Sequence, residues 1–383
     1  MRFLLLLMPI LCLGQEELVR AKQLHRKAIG TDSHIDTLQW VIYQDADLGK
    51  RHDVYHVDIP RLLEGGMRNP YFALYVPTYY SGSEAIRKTL QLRDAMQRLL
   101  DGYPAKIELA LNAADVVRIE KGGKIAAILT LESGHAIADD LAVLRMYHRL
   151  GVRSMTLSHF RNNNWADSST DTPRHHGLTE FGKAVVREMN RIGMIVDISH
   201  VSDETFYDVI AVTTKPVIAS HSSCRAISDF PRNMTDDMIR AVAKNGGVIG
   251  INFGGGFLNP NDADAYRRRI TATGALQPNL QGAELDEFAR KQFIDGYLKM
   301  GPTASTLDDV VKHIDHVVKI AGIDYVGIGS DFDGIGTVPK GLEDVSKMPA
   351  LTAALLRKGY SEKDILKILG GNHLRVLRAV TGK

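Results

Sequence analysis

MIVDISHVSDETFYDVIAVTTKPVIASHSS, residues 194–223, decides the fold of this chain. It opens with an apolar run ending in His200, and PVIASH closes the same way on His221. Between the two runs, DETFYDVIAVT reads as a helix. Strand, helix and strand within about thirty residues make a βαβ unit. Strands apolar on both faces suit a parallel sheet covered by helices.

The same alternation continues in both directions. Toward the N-terminus the strands read TDSHIDTL (31–38), NPYFALYVP (69–77), IAAILTLE (125–132) and VRSMTLSH (152–159); toward the C-terminus, VIGINFGGG (248–256) and YVGIGSDFDG (325–334). Helical stretches separate them. In SEAIRKTLQLRDAMQRLLDGY (83–103), Ile86, Leu90, Met96, Leu99 and Leu100 are expected to face inward. TEFGKAVVREMNRIG (179–193) takes Thr179 as its N-cap. Eight strands alternating with helices predict an α/β fold, a closed (β/α)8 TIM barrel of the metal-dependent hydrolase type. No GxGxxG follows the first strand, which argues against a Rossmann fold. Residues 258–305 break the rhythm and are expected at the mouth of the barrel as an insert.

A barrel gathers its strand ends around one mouth. His34, Asp36, Glu132, His200, His221 and Asp331 all stand at such ends. Three imidazoles and three carboxylates in one small volume read as a two-metal hydrolase site. His34 and Asp36 alternate on a strand and so share a face. Glu132 has two oxygens, enough to bridge two cations. Asp331 suits a metal or a general base, and Asp333 shares its face if the strand continues. His159 ends VRSMTLSH, where an imidazole suits an oxyanion. Arg232, in the loop after PVIASHSS, suits a substrate carboxylate.

The 383 residues are 44% hydrophobic and 24% charged, which suits one large soluble domain. A formal net charge of +2 gives no basic field for nucleic acid. The chain opens with Arg2, an apolar run over residues 3–13, and small Cys12 and Gly14 ahead of Gln15. This reads as a signal peptide over 1–14 and one catalytic domain over 15–383. The expected destination is periplasmic or secreted; a lipid anchor on Cys12 is disfavoured by bulky Leu11. The apolar run is too short to span a bilayer. Removing it leaves Cys224 alone, so no intrachain disulfide forms, and Cys224 reads as a packing or surface thiol.

DSHIDT, LTLESGHAI, LSHFRNNNWADSS, GLTEFGKAVVREMNRIGMIVDISHVS, PVIASHSSCRAISDFPRNMTDDMI, VGIGSDFDG, GLEDVSKMP and GGNHLRVLRAV, in this order, resemble the membrane (renal) dipeptidase family, peptidase family M19 of the amidohydrolase superfamily. The resemblance implies two zinc ions per chain. It places His34 and Asp36 on one ion and His200 and His221 on the other, bridged by Glu132. It makes Asp331 the acid/base, sets His159 on the substrate and its oxyanion, and gives Arg232 the terminal carboxylate. The implied reaction is hydrolysis of L-Xaa-L/D-Yaa dipeptides. Ser133 departs from the family, which commonly has Gly there. A homodimer is compatible with the resemblance, although the disulfide-linked animal type gets no support. Two rival readings stand beside it. One is another amide or lactam hydrolase of the superfamily, and the other is a non-catalytic exported metal- or peptide-binding protein.

Overall fold

The computed structural model describes residues 7–276, 278–298, 301 and 303–382. Among these residues nine strands form one parallel sheet: β1 (Thr31–Ile35), β2 (Asn69–Tyr75), β3 (Ile107–Leu109), β4 (Ile125–Glu132), β5 (Val152–Thr156), β6 (Ile195–Asp197), β7 (Ile218–Ser222), β8 (Val248–Ile251) and β9 (Val326–Ile328). Eight of them follow the order β1-β2-β4-β5-β6-β7-β8-β9, and β3 pairs only with β4. The ring shuts between β9 and β1. There Asp331 N–H donates to the His34 carbonyl at 3.1 Å, and Asp36 N–H to the Phe332 carbonyl at 2.9 Å. This is the (β/α)8 barrel expected from the alternation.

The short β3 lies outside the ring and was not anticipated; three residues give no periodicity to read. The helix Ser83–Gly102 begins where expected, but Leu90 is 45% exposed, while Leu92 and Lys88 are buried. The buried positions 85, 88, 89, 92, 95, 96 and 99 trace the helix-period stripe; Leu90 lies off it. Thr179 caps its helix as expected, accepting from Gly182 N–H at 3.2 Å. The first helix runs unbroken over Leu7–Lys27; residues 1–6 of the expected signal segment lie outside the described residues. Among the described residues, no helix is long and apolar enough to cross a membrane.

The strand starts Ala126, Ile195, Ile218 and Val248 pack with Leu377 and Val380 of the helix Asn372–Thr381, which plugs the floor of the barrel. The opposite end is the mouth. Residues of the helices Pro260–Gly274 and Gly282–Leu298 line a cavity there. Cys224 is buried, a packing thiol.

Candidate metal centre

Each site residue reaches the mouth because its strand stops there. After β4, β6 and β9 the chain turns sharply through non-glycine residues with positive φ: Ser133 (+89°), His200 (+72°) and Asp331 (+63°). Such backbone is strained and persists where surrounding structure enforces it. Around Asp331 the glycines are needed for space. A Cβ on Gly329 would lie 1.8 Å from the Ser220 carbonyl oxygen, and one on Gly334 would lie 2.2 Å from Asp36 Oδ2.

Glu132 is the hub. Its Oε2 lies 3.3 Å from His34 Nε2, which is itself 3.3 Å from Asp36 Oδ2. Its Oε1 lies 3.1 Å from His200 Nε2 and 3.4 Å from His221 Nε2, and those two nitrogens are 2.9 Å apart. The two carboxylate oxygens thus serve two different sets of donors. Ligands about 2.0–2.1 Å from a tetrahedral zinc stand roughly 3.3 Å from one another, so these separations fit metal coordination. Among the described residues, three overlapping groups have donor atoms close enough to hold an ion: His34 with Glu132 and His221, Glu132 with His159 and His200, and His34 with Asp36 and Asp331.

Unpartnered polar atoms point the same way. His34 has no hydrogen-bond partner on either ring nitrogen, and neither His200 Nδ1 nor Asp36 Oδ1 has one. Buried polar atoms left this way are costly unless a ligand satisfies them. Burial pushes Asp36 up to about 6, with Glu132 adding to the push. Burial lifts Asp331 well above the carboxylate range, with Asp36 and Glu132 adding to the lift against the pull of His34. Burial opposes charge on Glu132 as well, but the imidazoles around it, His34 first, hold it low. Crowded, desolvated carboxylates of this kind call for cations. The residues present fit a metal centre.

Residues behind the ligands hold them. His221 Nδ1 meets Ser220 Oγ at 2.7 Å. Asp32 accepts from Ser330 N–H at 2.9 Å and from His34 N–H at 3.3 Å, tying β1 to the Asp331 turn. Asn252 Nδ2 donates to Asp331 Oδ2 at 3.0 Å. None of these was singled out from sequence. Asn252 gave a signal, since it ends the apolar run VIGI as the ligands end theirs. Asp333 is not part of the cluster. The strand stops at Ile328, and Asp333 turns away to accept from His56 N–H at 2.7 Å.

His159 is buried beside Tyr75, Phe160 and His200, with Nε2 3.6 Å from Glu132 Oε1. Burial lowers its pKa to about 4, so the ring is neutral. Arg232 is buried as well. It donates to Ser222 Oγ at 2.7 Å and to the His221 carbonyl at 2.6 Å, and its Nε has no partner. A cavity of about 610 Å³ opens over the cluster, lined by Asp36, Glu132, His159, His200, His221 and Asp331 among others.

A barrel mouth with paired imidazole–carboxylate donor sets and a cavity above them defines a metal-dependent hydrolase. The family model for membrane dipeptidase, peptidase family M19, matches residues 18–382. The chain belongs to that family, as the sequence resemblance implied. Dipeptidase tcpJ of Claviceps purpurea (strain 20.1) is 37% identical over 334 residues, 85% of this chain and 69% of that protein. Dipeptidase aclJ of Aspergillus oryzae is 36% identical over 363 residues, 91% of this chain and 77% of that one. Among solved structures, the probable dipeptidase PvdM of Pseudomonas aeruginosa superposes with a TM-score of 0.81 at 28% identity, covering 96% of this chain and 99% of its own. A Rhodobacter sphaeroides metallopeptidase liganded with a phosphinate mimic of the dipeptide L-Ala-D-Ala superposes at 0.76 and 26% identity, covering 92% and 99%. The protein is a hydrolase of the metal-dependent dipeptidase type.

Proposed function

We propose that this enzyme hydrolyses L-Xaa-L/D-Yaa dipeptides at a dinuclear zinc site, with His34 and Asp36 on one ion, His200 and His221 on the other, and Glu132 between them. The observation that carries it is the division of Glu132: Oε2 toward His34, Oε1 toward His200 and His221. Zinc bound there would act as a Lewis acid and bring the pKa of water toward neutrality. Asp331 takes the proton of the attacking water on its carboxylate and returns it to the leaving amine. Asn252 holds that carboxylate in place. Neutral His159 stabilises the developing oxyanion from its place beside Glu132. Arg232 offers its unpaired Nε to the terminal carboxylate, which restricts the site to short substrates. The phosphinate-liganded relative supports tolerance of a D-residue at the second position. Export directed by residues 1–14 is part of this proposal, with a periplasmic or secreted enzyme as the outcome.

The test is amino-acid release from paired L-L and L-D dipeptides by zinc-loaded and chelated protein, with metal content measured alongside. The expected result is chelator-sensitive release with two metals per chain. Two bound metals without release would leave the centre standing and move the substrate to another amide class.

A further inference from the structure

The cavity over the metal centre extends well beyond the ligand cluster. At about 610 Å³ it falls in the range of pockets that enclose drug-sized ligands. Its lining is largely apolar on both sides, with Phe257 and Tyr266 toward Arg232, whose guanidinium lies 5.8 Å from the Phe257 ring centre. The loop after β7 carries Arg232. In the ring order, β2 stands four places from β7 and so diametrically across an eight-stranded barrel. On that far side the lining is aromatic and aliphatic: Tyr43, Tyr75 and Tyr79 from the β1 and β2 ends, with Ala289 and Phe293 from the insert helix Gly282–Leu298.

This wall is fixed in place. Phe293 packs 4.8 Å from Trp40 and 5.5 Å from Tyr43, ring centre to ring centre. Asp286 of the same helix accepts from Arg87 Nη1 at 2.7 Å and from Tyr80 OH at 2.8 Å. Farther along, Tyr297 OH meets His56 Nε2 at 2.9 Å. Two amides line this side: Gln39 donates to the Tyr75 carbonyl at 3.0 Å, and Gln292 stands on the insert helix between Ala289 and Phe293. Three charged residues outside the cluster, Asp262, Arg269 and Asp295, also line the cavity, and each is engaged by another group, Asp262 by the Thr303 hydroxyl at 2.6 Å. A wall anchored at both ends and mainly apolar between the anchors is a preorganised pocket for an apolar group.

We propose that the insert makes this enzyme selective for dipeptides with a large apolar side chain on the N-terminal residue, which seats against Tyr43, Tyr75, Tyr79, Ala289 and Phe293. The inference rests on the dipeptidase reading, with Arg232 taking the carboxylate. A substrate held by that carboxylate on the β7 side lays its N-terminal residue toward the β2 side.

The experiment compares kcat/KM of the zinc-loaded full chain for L-Phe-Gly, L-Leu-Gly, L-Ala-Gly, Gly-Gly and L-Glu-Gly. The Phe and Leu substrates should exceed Ala by at least about tenfold. In Phe293→Ala the Phe/Ala ratio should collapse through loss on L-Phe-Gly. Ala289→Phe, which fills the same space from the other direction, should collapse it too and serves if Phe293→Ala does not fold. A wild-type preference for Gly, Ala or Glu overturns the proposal, as does a Phe293→Ala loss shared equally by L-Ala-Gly and L-Phe-Gly. No release from any dipeptide brings down the dipeptidase reading itself, and this inference with it.

Discussion

The two ends of the barrel bury the same kind of side chain with opposite consequences. At the mouth, His34, His200 and His159 leave ring nitrogens without hydrogen-bond partners, and the Nε2 atoms of His34 and His200 stand within 3.3 Å of a Glu132 oxygen. At the floor, His373 leaves both ring nitrogens unpartnered, packed against Gly327 and 6.5 Å from Tyr71. His373 belongs to none of the metal-capable groups among the described residues. An orphaned imidazole therefore does not mark a site by itself. Convergence with acidic oxygens does, because only then does a cation recover the desolvation cost.

The sharpest way to break this contrast is at Asp331. Asp331→Asn keeps the shape of the mouth and removes the proton acceptor. We expect kcat to fall by about 10²–10⁴ with metal content retained. Kinetics with parallel metal analysis checks it; near-normal turnover would take the acid/base role from Asp331.

Next in size is the acid response, to which the buried histidines away from the mouth contribute. Burial lowers His25 and His313 to about 4 and His373 to about 3, each from an ordinary 6.5. A depressed folded-state pKa means that the unfolded chain binds the extra proton first as pH falls. The stability these rings contribute is full above pH 6.5 and drains as pH drops toward 4 for His25 and His313, and toward 3 for His373. Each of the first two would withdraw roughly 3 kcal/mol over its window. Chemical denaturation of the metal-free protein between pH 7 and 4.5 should show this loss. His373→Leu should flatten part of it; an unchanged pH slope in that variant would show that the floor histidine is already satisfied.

Much of the mouth was legible in the sequence, and less of what surrounds it. A buried parallel strand writes itself as an apolar run, and a polar residue ending such a run is conspicuous. IAAILTLE matches β4 residue for residue. Asp32, Ser220 and Asn252 were overlooked because they act through other side chains, and no spacing rule reports that. The Asp333 expectation failed for a local reason. It assumed a continuing strand, whereas left-handed backbone at Asp331 and Asp333 (φ +63° and +67°) ends the alternation. Lys88 shows the limit of amphipathic reading: it is buried, 4.2 Å from the Tyr43 ring centre, on a helix where only apolar residues were expected to face inward.

Arg232 sharpens the contrast from within the mouth, since it serves the substrate and the His221 backbone together. Arg232→Ala should raise KM by roughly ten- to a hundredfold, the worth of a hydrogen bond to a charged group, with a smaller change in kcat. A variant that instead loses metal along with kcat would make the guanidinium chiefly a support for His221.

The smallest expected effect is at Ser133, where strain and hydrogen bonding oppose each other. Its backbone (φ +89°, ψ 103°) favours glycine, the residue the family commonly has there. Its hydroxyl, however, meets His135 Nδ1 at 2.5 Å, and its N–H donates to Thr156 Oγ1 at 2.7 Å. Ser133→Gly relieves the backbone and loses the hydroxyl contact, two effects of about 1 kcal/mol and opposite sign, so stability should move by no more than about 1 kcal/mol. Ser133→Ala keeps the strain and loses the contact, so it should be the less stable of the two in thermal denaturation. If Ser133→Gly lowers kcat tenfold at unchanged stability, the Ser133–His135 contact aims the Glu132 carboxylate. If kcat is unchanged, the aim comes from the barrel strands alone, and the mouth owes its geometry to the same packing that shapes the floor.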